Sequence, residues 1–421
     1  MRSHFLSFGI SVVLLFVVQL HAADWPAFRG ANGDGSSSEA RAPVKWDNKT
    51  NVKWKTRLGA PGNSSPIVSN GRVFVTVSYD NGKTRSLICF DRKDGSQIWS
   101  RDVDYPKAMT THKTNPHGSS TPVADGERVV VFHGSAGVYC YRFDGSELWH
   151  CELGEFVHIW GYASSPIIHE GQVFLNAGPG KRTAMTAMDL KTGKINWQTK
   201  EEISGDGSRR DDKAYTGTWA SPMIRTIDGK EQLICSQTRR VVSYDPADGK
   251  VNWFCEGLKA KKGSLAYSSP MMAGDLCVQI GGFGGPGIGF KAGGSGDITA
   301  NRAWRTERNP QSIGTGVYVS DHLFVPNAAG SMIRCIDPKT GRDKWNSGRD
   351  VAGKSWGSVV RVGGNLYVTN QTGDTVVFKP NPKKFELVSV NKLGERSNST
   401  PAISDGDIFI RTFDSIYCIS E

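Results

Sequence analysis

Residues 164–199 read SSPIIHEGQVFLNAGPGKRTAMTAMDLKTGKINWQT, and this stretch contains one complete structural repeat. Ser-Ser-Pro precedes a first apolar run, residues 172–176 and 184–188 form two more, and a last run contains Trp197. The Asp-Leu-Lys-Thr-Gly sequence before the last run is typical of a tight turn, because Asp accepts main-chain hydrogen bonds and Gly adopts positive φ. The stretch therefore predicts four short antiparallel strands.

The same pattern recurs along the whole chain. Its starts fall near Ser64, Ser120, Ser164, Ser221, Ser269, Gly314, Gly357 and Ser399. Repeats of this length cannot bury their own apolar faces and are typical of solenoids and propellers. Because a complete repeat contains four antiparallel strands, we predict an all-β fold, an eight-bladed β-propeller over residues 51–421.

The two ends of the predicted ring complement each other. The last repeat, residues 399–420, has room for three strands, and an additional strand at residues 51–55 precedes the first repeat. We predict that this N-terminal strand completes the last four-stranded antiparallel blade, which leaves no open sheet edge.

A tryptophan recurs four residues after the turn glycine in several repeats, as in Gly193 and Trp197. An indole at a fixed point of each outer strand can pack flat against the next blade, so we predict a structural tryptophan-docking role. The predicted docking residues are Trp54, Trp99, Trp149, Trp197, Trp253 and Trp345. The fifth repeat instead has a glycine-rich run, residues 281–296, for which we expect close backbone approach to a neighbour or ligand. The seventh has Phe385 in place of the tryptophan.

The N-terminal region differs from the repeats. Residues 1–22 combine Arg2 with a short apolar run and a small-residue cleavage site, which predicts a secretory signal peptide. Residues 23–50 form a predicted extended segment before the propeller. No later run is long and apolar enough for a transmembrane segment. We expect export to the periplasm or the extracellular space.

Charge and cysteine content narrow the function classes. The formal net charge of +10 indicates a basic surface, but the basic residues are scattered and no nucleic-acid recognition motif is present, so we expect no nucleic-acid partner. Four of the eight cysteines, Cys89, Cys140, Cys335 and Cys418, occupy the same position in their repeats. The repeat geometry holds such residues apart, so we expect buried packing residues and not disulfides.

The motif Ala-x-Asp-x-x-Thr-Gly-x-x-x-Trp, complete in Ala187 to Trp197, resembles the repeat of pyrroloquinoline-quinone (PQQ)-type propellers. Residues 337–345 match its later half. The opening DWPAFRG at residues 24–30, with Gly-Asp-Gly at 33–35, resembles the start of exported planctomycete-type propellers, and residues 293–299 and 356–358 do so too. Many of those relatives are labelled after the propeller scaffold of outer-membrane β-barrel assembly.

The resemblance also implies an alternative function, since the superfamily contains quinoprotein dehydrogenases of alcohols and sugars. Their active sites are expected to hold PQQ over calcium in the central channel, with a catalytic Asp and a disulfide between adjacent cysteines. This sequence contains no Cys-Cys pair, and the acids near the expected channel mouth are few: Glu155, Asp211, Asp212 and Glu395. Calcium requires several oxygen ligands, commonly carboxylates.

Loops between successive repeats should meet at one mouth of the channel, and they are rich in aromatic, histidine and amide side chains. The candidate ligand-binding residues there are His112, Asn115, His117, His158, Trp160, Tyr215, Trp219, Tyr267, Gln311, Trp356 and Asn398. Aromatic faces beside amides suit a flat or sugar-like ligand. The other interpretation is that these aromatic residues fill the channel. The three histidines suit a metal by residue type, but their spacing is irregular, so we predict no metal site and no catalytic residue.

Two functions remain open on these grounds. One is an exported, non-catalytic scaffold in the cell envelope that binds an envelope protein, a polysaccharide or a small molecule, as a monomer and without a cofactor. The other is a PQQ- and calcium-dependent dehydrogenase. The fold alone does not decide between them.

Overall fold

The computed structural model describes residues 24–208, 215–330, 333–348, 351 and 353–421. The predicted signal peptide at residues 1–22 and the candidate acids Asp211 and Asp212 lie outside the described residues. No helix within these ranges has the length and apolar character needed to cross a membrane.

The described residues form eight antiparallel four-stranded blades, as the repeats predict. In each blade the first strand, here called the innermost strand, faces the central channel. Blade 1 contains Ile67–Ser69, Arg72–Tyr79, Thr84–Asp91 and Gln97–Asp104; blade 2 contains Val123–Ala124, Arg128–Phe132, Val138–Arg142 and Glu147–Cys151. Blade 3 contains Ile167–His169, Gln172–Ala177, Ala184–Asp189 and Ile195–Lys200; blade 4 contains Met223–Ile227, Lys230–Ser236, Arg240–Tyr244 and Val251–Glu256.

The second half of the ring repeats the arrangement. Blade 5 contains Met271–Ala273, Leu276–Ile280, Gly287–Lys291 and Arg302–Thr306; blade 6 contains Val317–Val319, His322–Pro326, Ile333–Ile336 and Asp343–Asn346. Blade 7 contains Val360–Val362, Asn365–Thr369, Asp374–Phe378 and Leu387–Lys392; blade 8 contains Ala402–Ser404, Asp407–Arg411, Ser415–Ile419 and Val52–Arg57. The last of these strands pairs antiparallel with Ser415–Ile419, so the predicted closure by the N-terminal strand is confirmed.

Shorter elements connect the blades. Tyr215–Thr218 and Gly263–Ala266 pair as a two-stranded parallel sheet in the loops on either side of blade 4, and Gly296–Asp297 adds to the outer edge of that blade. Short 3₁₀ helices occupy Asp80–Gly82, Gly134–Ala136 and Thr299–Asn301. The cysteines are unpaired, and all except the half-buried Cys151 are buried.

Tryptophans join neighbouring blades. The Trp197 Nε1–H donates to the Pro246 carbonyl at 3.0 Å. Its ring lies so close to Gly249 that a Cβ there would stand 2.3 Å from it. The same two contacts join Trp54 to Arg92 and Gly95, Trp99 to Phe143 and Gly145, Trp149 to Leu190 and Gly193, and Trp304 to Pro338 and Gly341. Trp345 donates to the Asn381 carbonyl at 2.9 Å.

Blade 5 alters this pattern. Trp253 donates to the Gln232 side chain at 2.7 Å within its own blade and meets Phe290 of blade 5 edge-on, since blade 5 lacks the Asp-Thr-Gly turn. Trp304 makes the contact with blade 6 instead, and the sequence pattern missed it because the glycine-rich run lengthens the spacing. Part of that run approaches this ring, since a Cβ on Gly289 would stand 2.3 Å from Trp304.

The N-terminal segment crosses the channel on the face opposite the loop mouth. Trp25 exchanges two 2.9 Å main-chain hydrogen bonds with Val68, at the far end of the innermost strand of blade 1. The Pro26 carbonyl accepts from Ala124 of blade 2 at 2.8 Å. The buried Arg29 donates to the carbonyls of Thr315 and Gly316, beside blade 6, at 2.9 and 2.7 Å. Residues 24–36 therefore close one end of the channel.

Candidate functional site

The channel is a blind cavity of about 270 Å³. Its floor is the half-buried ring of Phe28, from the segment that crosses the opposite face. Its wall and mouth are lined by Asn63, Ser65, His112, Asn115, Ser119, Thr121, Trp160, Ala163, Ser165, Trp219, Ser221, Tyr267, Ser269, Phe283, Gln311, Ile313, Gly314, Thr315, Trp356, Ser358, Asn398 and Thr400.

A ring of hydroxyl side chains forms the wall. Each blade contributes the Ser or Thr that stands two residues before its innermost strand: Ser65, Thr121, Ser165, Ser221, Ser269, Thr315, Ser358 and Thr400. The N–H of seven of these residues donates to the hydroxyl of the next blade at 2.9–3.0 Å, as Ser65 does to Thr121. Between blades 4 and 5 the Ser269 hydroxyl donates to the Ser221 carbonyl instead. The repeat motif therefore builds a rigid polar collar.

Aromatic side chains concentrate on one side of the mouth. The ring centroids of Trp160 and Phe283 are 5.9 Å apart with planes 23° from parallel, and Tyr215 packs against Trp160 at 5.0 Å. Trp219 lies 6.0 Å from Trp160 and 5.2 Å from Tyr267. The two-stranded parallel sheet positions the last pair, because each of these two residues directly follows one of its strands. Phe283 is 43% exposed, so this aromatic cluster is open to a ligand.

Amide side chains connect the loops on the other side. The Asn115 amide donates to the Trp160 carbonyl at 2.7 Å. Asn63 donates to the Asn115 side chain at 3.3 Å, and Asn398 donates to Asn63 at 3.2 Å. Gln371 donates to the Asn398 oxygen at 2.9 Å. This chain of amides spans the junction of the first and last blades and holds the mouth in one shape before any ligand binds.

The histidines serve different purposes. His112 is exposed at the mouth, where its Nδ1 lies 2.7 Å from the Thr114 hydroxyl. Burial and the nearby Arg85 guanidinium lower the pKa of His117 to about 4. Burial also lowers the pKa of His158 to about 4, and its Nε2 lies 3.1 Å from the Thr216 carbonyl while its ring meets Trp219 edge-on. Both buried histidines are neutral at pH 7 and support the loops.

A carboxylate is absent from the described residues that line the cavity. Glu155 is exposed and paired with Lys107. Glu395 is bound by Lys55 at 2.6 Å and by the Thr412 hydroxyl at 2.6 Å. The donors in the cavity are therefore hydroxyl, amide and imidazole groups, and this set does not fit the carboxylate-rich coordination that calcium prefers.

The structure brings together eight of the eleven candidate residues from the sequence: His112, Asn115, Trp160, Trp219, Tyr267, Gln311, Trp356 and Asn398 line the cavity. His117, His158 and Tyr215 do not line it and instead contact residues of its wall or of the loops around it.

Sequence reasoning missed Phe28, Asn63, Phe283 and the hydroxyl collar. The collar was detectable as a hydroxyl residue recurring at one position of each repeat, although the sequence does not show that this position faces the channel. Phe28 carried no such signal, because only the path of the N-terminal segment places it in the floor.

Comparisons with known proteins agree with this fold. The model of the family described as outer membrane protein assembly factor BamB matches residues 36–115, 83–347 and 329–419. No curated protein sequence matches the chain.

Solved structures of two kinds are similar. BamB from Moraxella catarrhalis is 13% identical, with a TM-score of 0.58 over 86% of this chain and 97% of its own. A europium-containing methanol dehydrogenase is 10% identical, with a TM-score of 0.66 over 95% of this chain and 98% of its own. A quinohemoprotein alcohol dehydrogenase from Comamonas testosteroni is 12% identical, with a TM-score of 0.66 over 94% of this chain and 80% of its own. At these identities the similarity shows the fold alone.

Proposed function

The chain belongs to the family of the outer membrane protein assembly factor BamB, and we propose that it is an exported, non-catalytic binding module of the cell envelope. Its ligand enters the blind cavity at the loop mouth. Because similar structures include both an assembly factor and dehydrogenases, the fold does not select a function, and the proposal depends on the chemistry of the cavity.

The observation that carries the proposal is a preformed cavity with aromatic faces and polar groups but without a described carboxylate. Such a cavity can bind a ring-shaped ligand by stacking on Trp160 or Trp219 and by hydrogen bonds from its amides. Proton transfer in the dehydrogenase alternative requires a base within hydrogen-bond reach of the substrate. The described lining offers one titratable imidazole, that of the exposed His112, and no acid beside it.

The fixed position of Phe28 also supports a binding function. The Arg29 guanidinium, next in the chain, donates to four carbonyls, those of Gly33, Asp34, Thr315 and Gly316. These bonds hold the floor in place, so the cavity does not need to form around a ligand. A preformed site loses less conformational freedom on binding and so binds more tightly for the same contacts.

The test is the thermal midpoint of residues 23–421 with soluble oligosaccharides, both neutral and acidic, and with PQQ plus calcium chloride. A ligand at about a hundred times its Kd stabilises the native state by about 2.7 kcal/mol, which should raise the midpoint by a few degrees. We expect at least one oligosaccharide to raise it, and we expect Trp160→Ala to abolish the rise.

Leu387→Ala provides the control, because Leu387 is an apolar residue 45% exposed on the outer strand of blade 7, far from the mouth. This variant should keep the response. A calcium-dependent rise with PQQ, together with dye-linked oxidation of an alcohol or sugar, would instead establish the dehydrogenase alternative.

A further inference from the structure

A second depression adjoins the aromatic side of the mouth, and we call it the basic groove. It encloses about 740 Å³ and is lined by Lys259, Ala260, Lys261, Lys262, Gly263, Phe283, Gly284, Gly285, Glu307 and Arg308. Phe283 also lines the central cavity, so the two depressions share one side chain. A ligand that stacks on Phe283 in the mouth therefore extends directly into the groove.

The groove carries an excess of positive charge. Lys259, Lys261, Lys262 and Arg308 are exposed, and within the described ranges none of them has a carboxylate within 4.0 Å. The acid in the lining, Glu307, is paired with Arg305. The four cations are consequently available to an anionic ligand, in contrast to the described lining of the central cavity, where neither acids nor Lys or Arg occur.

The main chain under the groove is held in place. The Arg305 Nε–H donates to the Gly257 carbonyl at 2.9 Å, and a second guanidinium nitrogen donates to the Lys259 carbonyl at 3.3 Å. The Asn309 N–H donates to the Gly285 carbonyl at 3.0 Å. The Gly282 N–H donates to the Leu265 carbonyl at 2.7 Å, which fixes Phe283 beside the parallel sheet. The distance between the aromatic cluster and the cations is thus set by the fold.

We propose that the ligand is an acidic oligosaccharide, with an uncharged ring in the central cavity and an adjacent acidic ring in the basic groove. This inference rests on the proposed function and specifies its ligand class. A sugar ring has an apolar face that stacks on indole and phenyl rings and hydroxyl groups that pair with amides and hydroxyls. The cavity offers both, and the groove supplies the complementary charge for the acidic ring.

An acidic peptide fits these features less well. Extended peptides are commonly bound by adding a strand to an open sheet edge, with main-chain hydrogen bonds providing much of the affinity. The described wall of the cavity presents side-chain hydroxyls and amides. Main-chain N–H and C=O groups in and beside the innermost strands are already bound by the hydroxyl collar and by residues 24–36, so a peptide could not pair with them.

The experiment measures binding of a hyaluronan hexasaccharide, in which uncharged and carboxylated rings alternate, by titration calorimetry at low and high salt. The neutral comparison ligand is chitohexaose. We expect the hexasaccharide to bind at least tenfold more tightly than chitohexaose at 50 mM salt, and we expect the difference to shrink at 500 mM because salt screens exposed charges.

Lys261→Ser/Lys262→Ser is the decisive variant, and the matched control is Lys191→Ser/Lys194→Ser, which removes the same charge from an exposed turn of blade 3. The groove variant should lose the preference for the acidic ligand and keep its affinity for chitohexaose, whereas the control should behave as wild type. A chondroitin sulfate hexasaccharide, which carries sulfate in addition to carboxylate groups, tests the effect of the second kind of acidic group. Preferential binding of either acidic ligand over chitohexaose supports the proposal.

Two results would overturn the proposal, and they are distinguishable from failure of the proposed function. Equal affinity for hyaluronan and chitin hexasaccharides, unaffected by the groove variant, would remove the acidic specificity while leaving the cavity as a binding site. Displacement of the hyaluronan ligand by a hexaglutamate peptide of comparable affinity would assign the site to peptides. If no oligosaccharide binds in a Trp160-dependent manner, the proposed function itself fails.

Discussion

The hydroxyl oxygen of Ser65 accepts a 3.0 Å hydrogen bond from the main-chain N–H of Thr400, which lies 335 residues later in the chain. This contact joins the first blade to the last at the wall of the cavity. It is one link of the hydroxyl collar, and it complements the strand pairing between residues 52–57 and 415–419 at the outer edge of blade 8. The ring is therefore closed twice, once near its axis and once near its rim.

Removing the Ser65 hydroxyl should destabilise the propeller. Ser65→Ala leaves the buried N–H of Thr400 without its acceptor, and an unsatisfied buried donor costs about 1–3 kcal/mol. Ser65→Thr should be nearly neutral, because Thr121, Thr315 and Thr400 occupy the same position in other blades. Urea denaturation followed by tryptophan fluorescence measures both free energies of unfolding. Equal values for the two variants would show that the hydroxyl does not stabilise the ring.

The contact between blades 5 and 6 should be sensitive to a single methyl group. A Cβ on Gly341 would stand 2.5 Å from the Trp304 ring, whereas a Cβ on Gly394 would meet nothing within 4 Å. Both glycines have positive φ, so both alanine substitutions introduce backbone strain of about 1–2 kcal/mol. Gly341→Ala should lose about 1–3 kcal/mol more than Gly394→Ala, because the indole must move. Thermal denaturation of the pair provides the comparison, and equal midpoints would contradict it.

The floor of the cavity should depend on Arg29. Arg29→Gln removes most of the bonds that join residues 24–36 to the Thr315 and Gly316 carbonyls, so we expect a loss of about 2–3 kcal/mol and faster proteolysis of the N-terminal segment. Arg41→Gln is the control, since Arg41 is exposed and lies a few residues beyond this segment. Mass spectrometry of limited digests reports the cleavage sites. Equal cleavage rates in the two variants would show that Arg29 does not secure the floor.

Stability should fall in mild acid. Burial lowers the pKa of His158 from 6.5 to about 4, against the opposing effects of the hydrogen bond to the Thr216 backbone and of Asp206. Between these values the unfolded chain binds a proton that the folded chain does not, so acid favours unfolding. The free energy of unfolding should be highest above about pH 6.5 and decrease towards pH 4.

A His158→Gln variant tests the origin of this pH dependence. It keeps a donor toward the Thr216 carbonyl but cannot titrate. We expect its loss of stability between pH 7 and pH 4.5 to be smaller than that of wild type by on the order of 2 kcal/mol. The remainder comes in part from His117 and His133, whose pKa values are lowered to about 4 and about 3 by burial. An unchanged pH profile in the variant would exclude His158 as a contributor.

The blade architecture follows from local pattern. The strands of each blade are predicted by turn residues such as Asp189 and Gly193, by short apolar runs and by the recurring Ser-Ser-Pro. The number of repeats predicts the number of blades in the ring. The additional strand at residues 51–55, before the first repeat, predicts how the ring closes. These features depend on residues close together in sequence, where turn chemistry and strand propensity act. The fifth repeat departs from this pattern, because a glycine-rich run replaces its Asp-Thr-Gly turn and Trp304 follows at a longer spacing.

The sequence by itself determined the number of blades, the closure of the ring and eight of the residues that line the cavity. Only the tertiary structure decided that Phe28 closes the cavity, that a hydroxyl from each blade forms its collar, and that Phe283 joins the cavity to the basic groove. Such contacts connect residues hundreds of positions apart. Their geometry is set by how the blades and the N-terminal segment pack around the axis, and the pattern within one repeat contains no information about that packing.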